Sequence, residues 1–313
     1  MGLAAGESLC SLGRRLGWAA STISREVNHN GGRRRYRATT ADRAAYRRAK
    51  RPKIAKLAAN ARLRERVEEL LGQLFSPQQI SATLREEFPD EPSMRVSHET
   101  IYQSLFVQSR GALRKQLTAC LRSGRTRRRC QGRKHTRGQI PGMVTISERP
   151  AEIEDRAVPG HWEGDLIIGA SGRSAIVTLV ERQTRYVMLA RIGTDRTSSA
   201  VCAAISAQIQ TLPEHLTRSL TWDRGKEMTN HAAFTVQTGI DVYFCDPHAP
   251  WQRGSNENTN GLLRQYFPKS TDLNVHNQAE LDRVADQLNI RPRQTLNWKT
   301  PAAKLNELLA LTG

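Results

Sequence analysis

The sequence predicts two architectures in one chain, an all-helical basic region followed by an α/β region that carries an acidic site. Three observations point there. Residues 1–150 hold 31 lysines and arginines against 12 acids, whereas the rest of the 313 residues hold 17 against 18. Apolar residues recur at helical spacing through the basic half, and short β-rich runs take over near Pro150. Two of those runs deliver Asp165 and Asp223, and a Pro/Gly-rich turn after a third opens into a helix bearing Glu257. Three carboxylates from distant segments describe a metal site.

The net charge of +18 lies wholly in the first half, so that half seeks a polyanion, nucleic acid foremost. A hydrophobic fraction of 38% supports a real core. No apolar run approaches the roughly 18 residues needed to span a bilayer, so no membrane partner is expected, and the expected location is cytoplasmic, at the nucleoid. The five cysteines (Cys10, Cys120, Cys130, Cys202, Cys245) form no Cys-x-x-Cys pair, which suggests neither a disulfide framework nor a zinc site.

In chain order, Leu9, Leu12 and Leu16 mark a first helix, Gly17 and Trp18 a turn, and Ser21 a cap for a second helix with Ile23 and Val27 inward. Ser21, Ser24, Arg25 and Asn28 then share the opposite face, with side chains suited to base edges and phosphates. An ordinary helical hairpin has the same spacing. The arginine-rich stretch that follows favours DNA: Arg33, Arg34, Arg35, Arg37, Arg43, Arg47 and Arg48, then Lys50, Arg51 and Lys53, interleaved with Tyr36 and Tyr46.

A second helical unit begins with Leu63, Val67, Leu70 and Leu74 on one helix. Ser76-Pro77-Gln78-Gln79 starts another, with Ile80, Leu84 and Phe88 inward. The chain restarts at Ser97; Ile101 and Leu105 point in, while Thr100 and Gln103 face out as DNA-contacting residues of a second helix-turn-helix. Arg110 to Arg137 is a basic linker that should order on DNA. The expected segments are 1–55, 56–110, 111–150, 151–270 and 271–313.

Beyond Pro150, His161 to Ile168, Ser174 to Glu181 and Arg185 to Ile192 read as an antiparallel meander. A helix at Thr197 to Thr211, a strand at Leu216 to Trp222, a short helix at Asn230 to Thr238 and a strand at Ile240 to Cys245 follow. With the helix carrying Glu257, this is the order of a ribonuclease-H-like fold with a mixed five-stranded sheet.

The residues now in view carry a resemblance. His161-Trp162-Glu163-Gly164-Asp165, Trp222-Asp223-Arg224-Gly225-Lys226-Glu227 and the segment Pro247 to Arg264 resemble the catalytic motifs of bacterial insertion-sequence transposases of the IS-thirty family, DDE enzymes with an integrase-like core. Thr22-Ile23-Ser24-Arg25-Glu26, Val96 to Tyr102, Asn289-Ile290-Arg291-Pro292-Arg293 and Thr300-Pro301 extend the likeness over nearly the whole chain.

The resemblance implies that Asp165, Asp223 and Glu257, spaced by 58 and 34 positions, are the catalytic residues and hold Mg²⁺ or Mn²⁺, two ions per site. It implies double-stranded DNA as partner, both element ends with terminal inverted repeats and target, and a homo-oligomer on that DNA. Glu163, on the same strand face as Asp165, is the rival ligand. Glu227 is expected to be structural, and His161 and His248 are expected to be spectators. Arg264 shares a helix face with Glu257 and is expected at the DNA backbone. Competing readings are a DNA-binding regulator with an inactive integrase-like core, against which the intact triad argues, and a nuclease that cuts without joining. Similar transposases begin with further helix before the segment matching Leu3 to Gly17, so a shortened amino terminus is expected.

Overall fold

The computed structural model describes residues 2–3, 5–49, 56–105, 142–146, 158–246 and 250–310. Most of the expected basic linker, with Lys50, Arg51, Lys53 and His248, lies outside them. The chain divides into two compact units, Met1–Ala55 and Lys56–Gly313.

The first unit comprises α1 (Leu9–Leu16), α2 (Ala20–His29), α3 (Gly32–Arg35) and α4 (Ala38–Ala49). Ser8 caps α1 by accepting from Ser11 N at 3.1 Å, and Gly17 closes it at φ 70°. A side chain on Gly13 would come within 2.6 Å of the Trp18 carbonyl, so a glycine there lets the turn fold back tightly. That tight turn also corrects the expected cap. The helix α2 starts at Ala20 after Ala19, without a side-chain cap, and Ser21 lies within its first turn. Of the expected apolar stripe, Leu12 and Val27 are buried, Leu9 and Ile23 half-buried, and Leu16 exposed.

The second unit opens with α5 (Lys56–Ala59), α6 (Ala61–Gly72), α7 (Pro77–Glu87) and α8 (His98–Gln103). Leu63, Val67, Leu70, Ile80, Leu84 and Ile101 form its buried cluster. At α7 the Ser76 hydroxyl accepts from Gln79 N while the Gln79 side chain accepts from Ser76 N, a full capping box. Leu74 departs from expectation. It takes φ 64° just past α6, where Phe75 N reaches Leu70 O and Leu74 N reaches Leu71 O. Those paired bonds are a Schellman closure, usually made with glycine, so Leu74 ends the helix and Leu71 fills the core position.

The sheet has the order β3-β2-β1-β4-β5. Its strands are β1 (His161–Ile168), β2 (Ala175–Glu181), β3 (Val187–Arg191), β4 (Ser219–Trp222) and β5 (Asp241–Phe244). The strand β1 runs antiparallel to β2 and parallel to β4, β2 pairs antiparallel with β3, and β4 with β5 in parallel. Every residue of β2 is buried, as a strand covered on both faces must be. The helices α9 (Ser198–Ile209) and α10 (His231–Thr238) cover one face, where Trp162, Val177 and Leu179 meet Val201 and Ile205. On the other face Ile167, Ile176 and Val180 pack with Leu263, Leu281 and Leu288, from α11 (Gly254–Leu263) and α12 (Gln278–Asn289). The last helix is α13 (Pro301–Ala310). The expected fourth strand begins late: Leu216 belongs to a 3₁₀ turn whose carbonyl accepts from Trp162 Nε1 at 2.8 Å.

The outer edge of β3 is satisfied by side-chain amides of α12. Asn289 accepts from Val187 N at 2.8 Å and donates to Val187 O at 2.9 Å, and Gln278 does the same for Arg191 N and Leu189 O. An edge strand is thereby closed to further pairing. The buried Arg291 continues the clasp, donating to Tyr266 Oη and lying 5.9 Å from the Phe75 ring, while Gln79 donates to Pro292 O at 2.9 Å. The helices α5 to α8 thus dock on the tail of the sheet unit.

Candidate active site

Alternation along β1 puts Trp162 on the α9 face and Glu163, Asp165 and Ile167 on the face covered by α11. Polar residues therefore interrupt an otherwise apolar face where α11 begins. Asn256, Asn260 and Arg264, at i, i+4 and i+8, fasten α11 to β1. Asn256 Nδ2 donates to Glu163 O at 2.8 Å, Asn260 Nδ2 to Asp165 Oδ2 at 3.0 Å, and Arg264 Nη2 to Ile168 O at 3.0 Å. Sequence reading paired Arg264 with Glu257. It missed the shared target, which only the fold brings alongside.

Asp165 and Asp223 are brought together across the parallel pair β1 and β4. Between them lies Arg253, the residue before α11. Its Nη1 is 3.3 Å from Asp165 Oδ1 and its Nη2 is 3.6 Å from Asp223 Oδ2, and Nη1 also donates to Gly164 O at 3.1 Å. Asp223 Oδ1 accepts from Gly225 N at 2.8 Å, and a side chain on Gly225 would collide with the Glu227 carboxylate. Burial pushes the Asp165 carboxyl above the usual range. The Arg253 charge opposes that shift, and the Asp223 charge adds to it. The same burial pushes the Cys245 thiol up to about 11.

Sequence reasoning missed Arg253. A signal existed: a cation at a helix N-terminus opposes the macrodipole and needs nearby anions to offset it. Glu163, the rival ligand, is fully buried and committed, accepting from Asn256 N at 3.0 Å with Arg182 Nε 3.4 Å away. His161 is also buried, its Nδ1 2.8 Å from Ser219 Oγ. Gln252 bonds Asp246 through both side-chain ends, at 2.8 and 2.7 Å, across the base of the loop that leads into α11.

Glu257 does not join the aspartates. It is exposed on α11, one residue round from Asn256, and among the described residues no three His, Cys, Asp or Glu side chains are close enough to hold a metal. Two carboxylates gripping a guanidinium nevertheless fit a cation. Asn260 Oδ1, beside Asp165, and Glu227 Oε2, near Asp223, are buried oxygens without a hydrogen-bond partner among the described residues. Oxygen donors of this kind suit Mg²⁺ or Mn²⁺.

On the helical units, Ser21, Arg25 and Asn28 are exposed and Ser24 is half-buried. Asn28 Nδ2 reaches Ser24 Oγ at 3.4 Å. Arg34 and Arg35 are exposed, and Arg33 donates to Glu7 O. Gln103 is exposed, whereas the Thr100 hydroxyl shares a 2.9 Å bond with Ser97 at the start of α8. Arg264, expected at DNA, spends its guanidinium on the Ile168 and Phe267 carbonyls instead.

Residues 155–250 match the integrase core domain family, a span that includes both aspartates, and residues 1–30 match a helix-turn-helix domain. The chain is 51% identical over 307 residues to the transposase for insertion sequence element IS1086 of Cupriavidus metallidurans, covering 97% of this chain and 90% of the relative. It is 48% identical over 318 residues to the transposase InsI for IS30A of Escherichia coli, covering 99% and 82%. It is 35% identical over 298 residues to the transposase for IS4351 of Bacteroides fragilis, covering 94% and 88%. A helix-turn-helix joined to an integrase core with paired aspartates defines a DDE transposase, a polynucleotidyl transferase. The chain belongs to the IS30 family of insertion-sequence transposases.

Proposed function

We propose that this transposase binds the terminal inverted repeats of its element and catalyses both strand cleavage and strand transfer at one carboxylate site. The observation that carries this reading is the pair Asp165 and Asp223 closing on the Arg253 guanidinium, since two carboxylates so arranged hold positive charge. Asp165, Asp223 and Glu257 would hold Mg²⁺ or Mn²⁺, two ions on this reading. When bound, such ions stabilise charge on the attacking and leaving oxygens of a phosphodiester. For Glu257 to join the site, α11 must shift and Arg253 must withdraw from the aspartates. The nucleophile is a water for cleavage or a 3′-hydroxyl for joining, so no covalent protein intermediate forms.

The division of labour follows the charge. Residues 1–55 and 56–110 dock DNA: Ser21, Ser24, Arg25 and Asn28 read base edges, while Arg33, Arg34 and Arg35 hold phosphates. Gln103 and Thr100 extend the contact from α8. Residues 111–150 are the basic linker, 151–270 the catalytic core and 271–313 the helical extension that supports it. The chain works as a homo-oligomer on element ends and target, in the bacterial cytoplasm at the nucleoid. No helix among the described residues is long and apolar enough to cross a membrane. Incubating the protein with labelled element ends, target DNA and Mg²⁺ tests the reading. Joined products are expected. Binding without cleavage would favour an inactive-core regulator, and cleavage without joining a nuclease.

A further inference from the structure

We propose that a cavity on the far side of α11 from the aspartates seats a backbone phosphate of the bound DNA, an inference that rests on the function proposed above. The cavity is about 170 Å³ and takes a guanidinium from each of two directions, Arg185 from the β2–β3 turn and Arg293 from the segment after α12. Between them α11 contributes Ser255, Asn258 and Thr259, and Thr295 completes the rim. None of the lining residues is acidic. Two planar cations beside the Ser255 hydroxyl and the Asn258 amide match a phosphate better than any neutral ligand, the Thr259 hydroxyl being spent on Ser255 O at 2.9 Å.

Both arginines are held by built turns. Arg185 has φ 63°, a left-handed conformation that costs a non-glycine residue free energy. Buried Glu181 holds that turn by accepting from Thr184 N, the Thr184 hydroxyl and Gly160 N. The Arg185 guanidinium donates to Ser255 Oγ, so it is aimed at the first turn of α11. Arg293 is fixed by its own N–H to Lys299 O at 3.0 Å and by Nη2 to Leu288 O at 3.2 Å. The N-terminus of α11 adds little, because the Glu163 carboxylate already accepts from Asn256 N at 3.0 Å, so the seat rests on the two guanidiniums. Asn256, Asn260 and Arg264 face β1, whereas Ser255 and Thr259 face this cavity. One helix thus offers a carboxylate site on one side and an anion seat on the other.

The test uses the full chain and two substitutions. Arg185→Asn removes the charge with a residue that tolerates positive φ, and Thr295→Glu adds a carboxylate at an exposed rim position. Binding to an element-end duplex and to an unrelated duplex is measured from low to moderate salt. Each variant is expected to bind roughly tenfold more weakly, and Arg185→Asn to lower the log–log salt slope by about one. Single methylphosphonates are then scanned along each duplex. At one position neutralisation should weaken wild type and leave Arg185→Asn unaffected. An effect confined to the element end assigns the phosphate to that end, and an effect on both duplexes assigns it to any bound duplex. Unchanged slopes with equal sensitivity at every position in correctly folded variants would overturn the proposal. So would protection of wild type by inorganic phosphate alone with no effect on DNA, since the cavity then takes a free anion. Failure of wild type to join element ends would count against the proposed function, while the unrelated duplex still reports on the seat.

Discussion

Arg253 Nη1 lies 3.3 Å from Asp165 Oδ1, so the residue that starts the Glu257 helix is tied to the aspartate on the central strand. Asp223 takes the other guanidinium nitrogen at 3.6 Å. The positive charge compensates two crowded carboxylates that would otherwise repel. It also couples the position of α11 to the state of the aspartates.

Removing that charge should cost the cation-free protein stability. Arg253→Ala leaves two part-buried carboxylates facing each other, and a loss of about 3 kcal/mol is expected. Millimolar Mg²⁺ should recover part of that loss and raise the Tm of the variant more than that of wild type. Melting with and without Mg²⁺ checks this; an equal shift in both proteins would contradict a shared position for guanidinium and metal.

The raised pKa of Asp165 gives a pH dependence with a defined sign. Its folded pKa exceeds the unfolded one, so its contribution is fully present below the ordinary aspartate range and is lost as pH rises through the folded value. Asp165→Asn cannot ionise. The variant should therefore gain Tm relative to wild type on going from pH 4 to pH 7 without divalent cation. A constant difference across that range would show that burial does not dominate at Asp165.

On the function proposed above, base reading and phosphate holding should separate in the first unit. Arg25→Ala should relax discrimination between element ends and unrelated DNA by about 1–3 kcal/mol, whereas Arg34→Ala and Arg35→Ala should weaken both and lower the salt slope by about one each. Competition binding at two salt concentrations distinguishes these outcomes.

The amide clasp on the sheet edge predicts a structural effect far from the chemistry. Asn289→Ala leaves Val187 N–H and C=O without their side-chain partner, and a loss of about 2 kcal/mol is expected. Denaturant unfolding measures it.

Much of this was legible in the sequence because it depends on near neighbours. The Ser76/Gln79 capping box, the strand runs and the helices that follow β3, β4 and β5 are read from local spacing. Asp165 and Asp223 were legible as acids delivered by two separate strand runs, but the pairing of those strands was not. Arg253, Asn260 and Asn289 were not, because each has a partner on the sheet 88 to 102 positions away that is chosen by packing. Leu74 misled because a leucine occupies a left-handed position that glycine usually fills. Arg264 was read as sharing a face with Glu257, whereas its guanidinium lies on the Ile168 and Phe267 carbonyls while Glu257 is exposed.

The central claim is that Asp165, Asp223 and Glu257 act as one unit although Glu257 stands apart in the DNA-free fold. The most direct measurement is Mg²⁺-dependent nicking and joining of labelled element ends by Asp165→Asn, Asp223→Asn and Glu257→Gln, with end binding measured in parallel. Each variant is expected to bind ends nearly as wild type does and to yield neither nicked nor joined product. Wild-type cleavage by any one of them, Glu257→Gln above all, would contradict the triad.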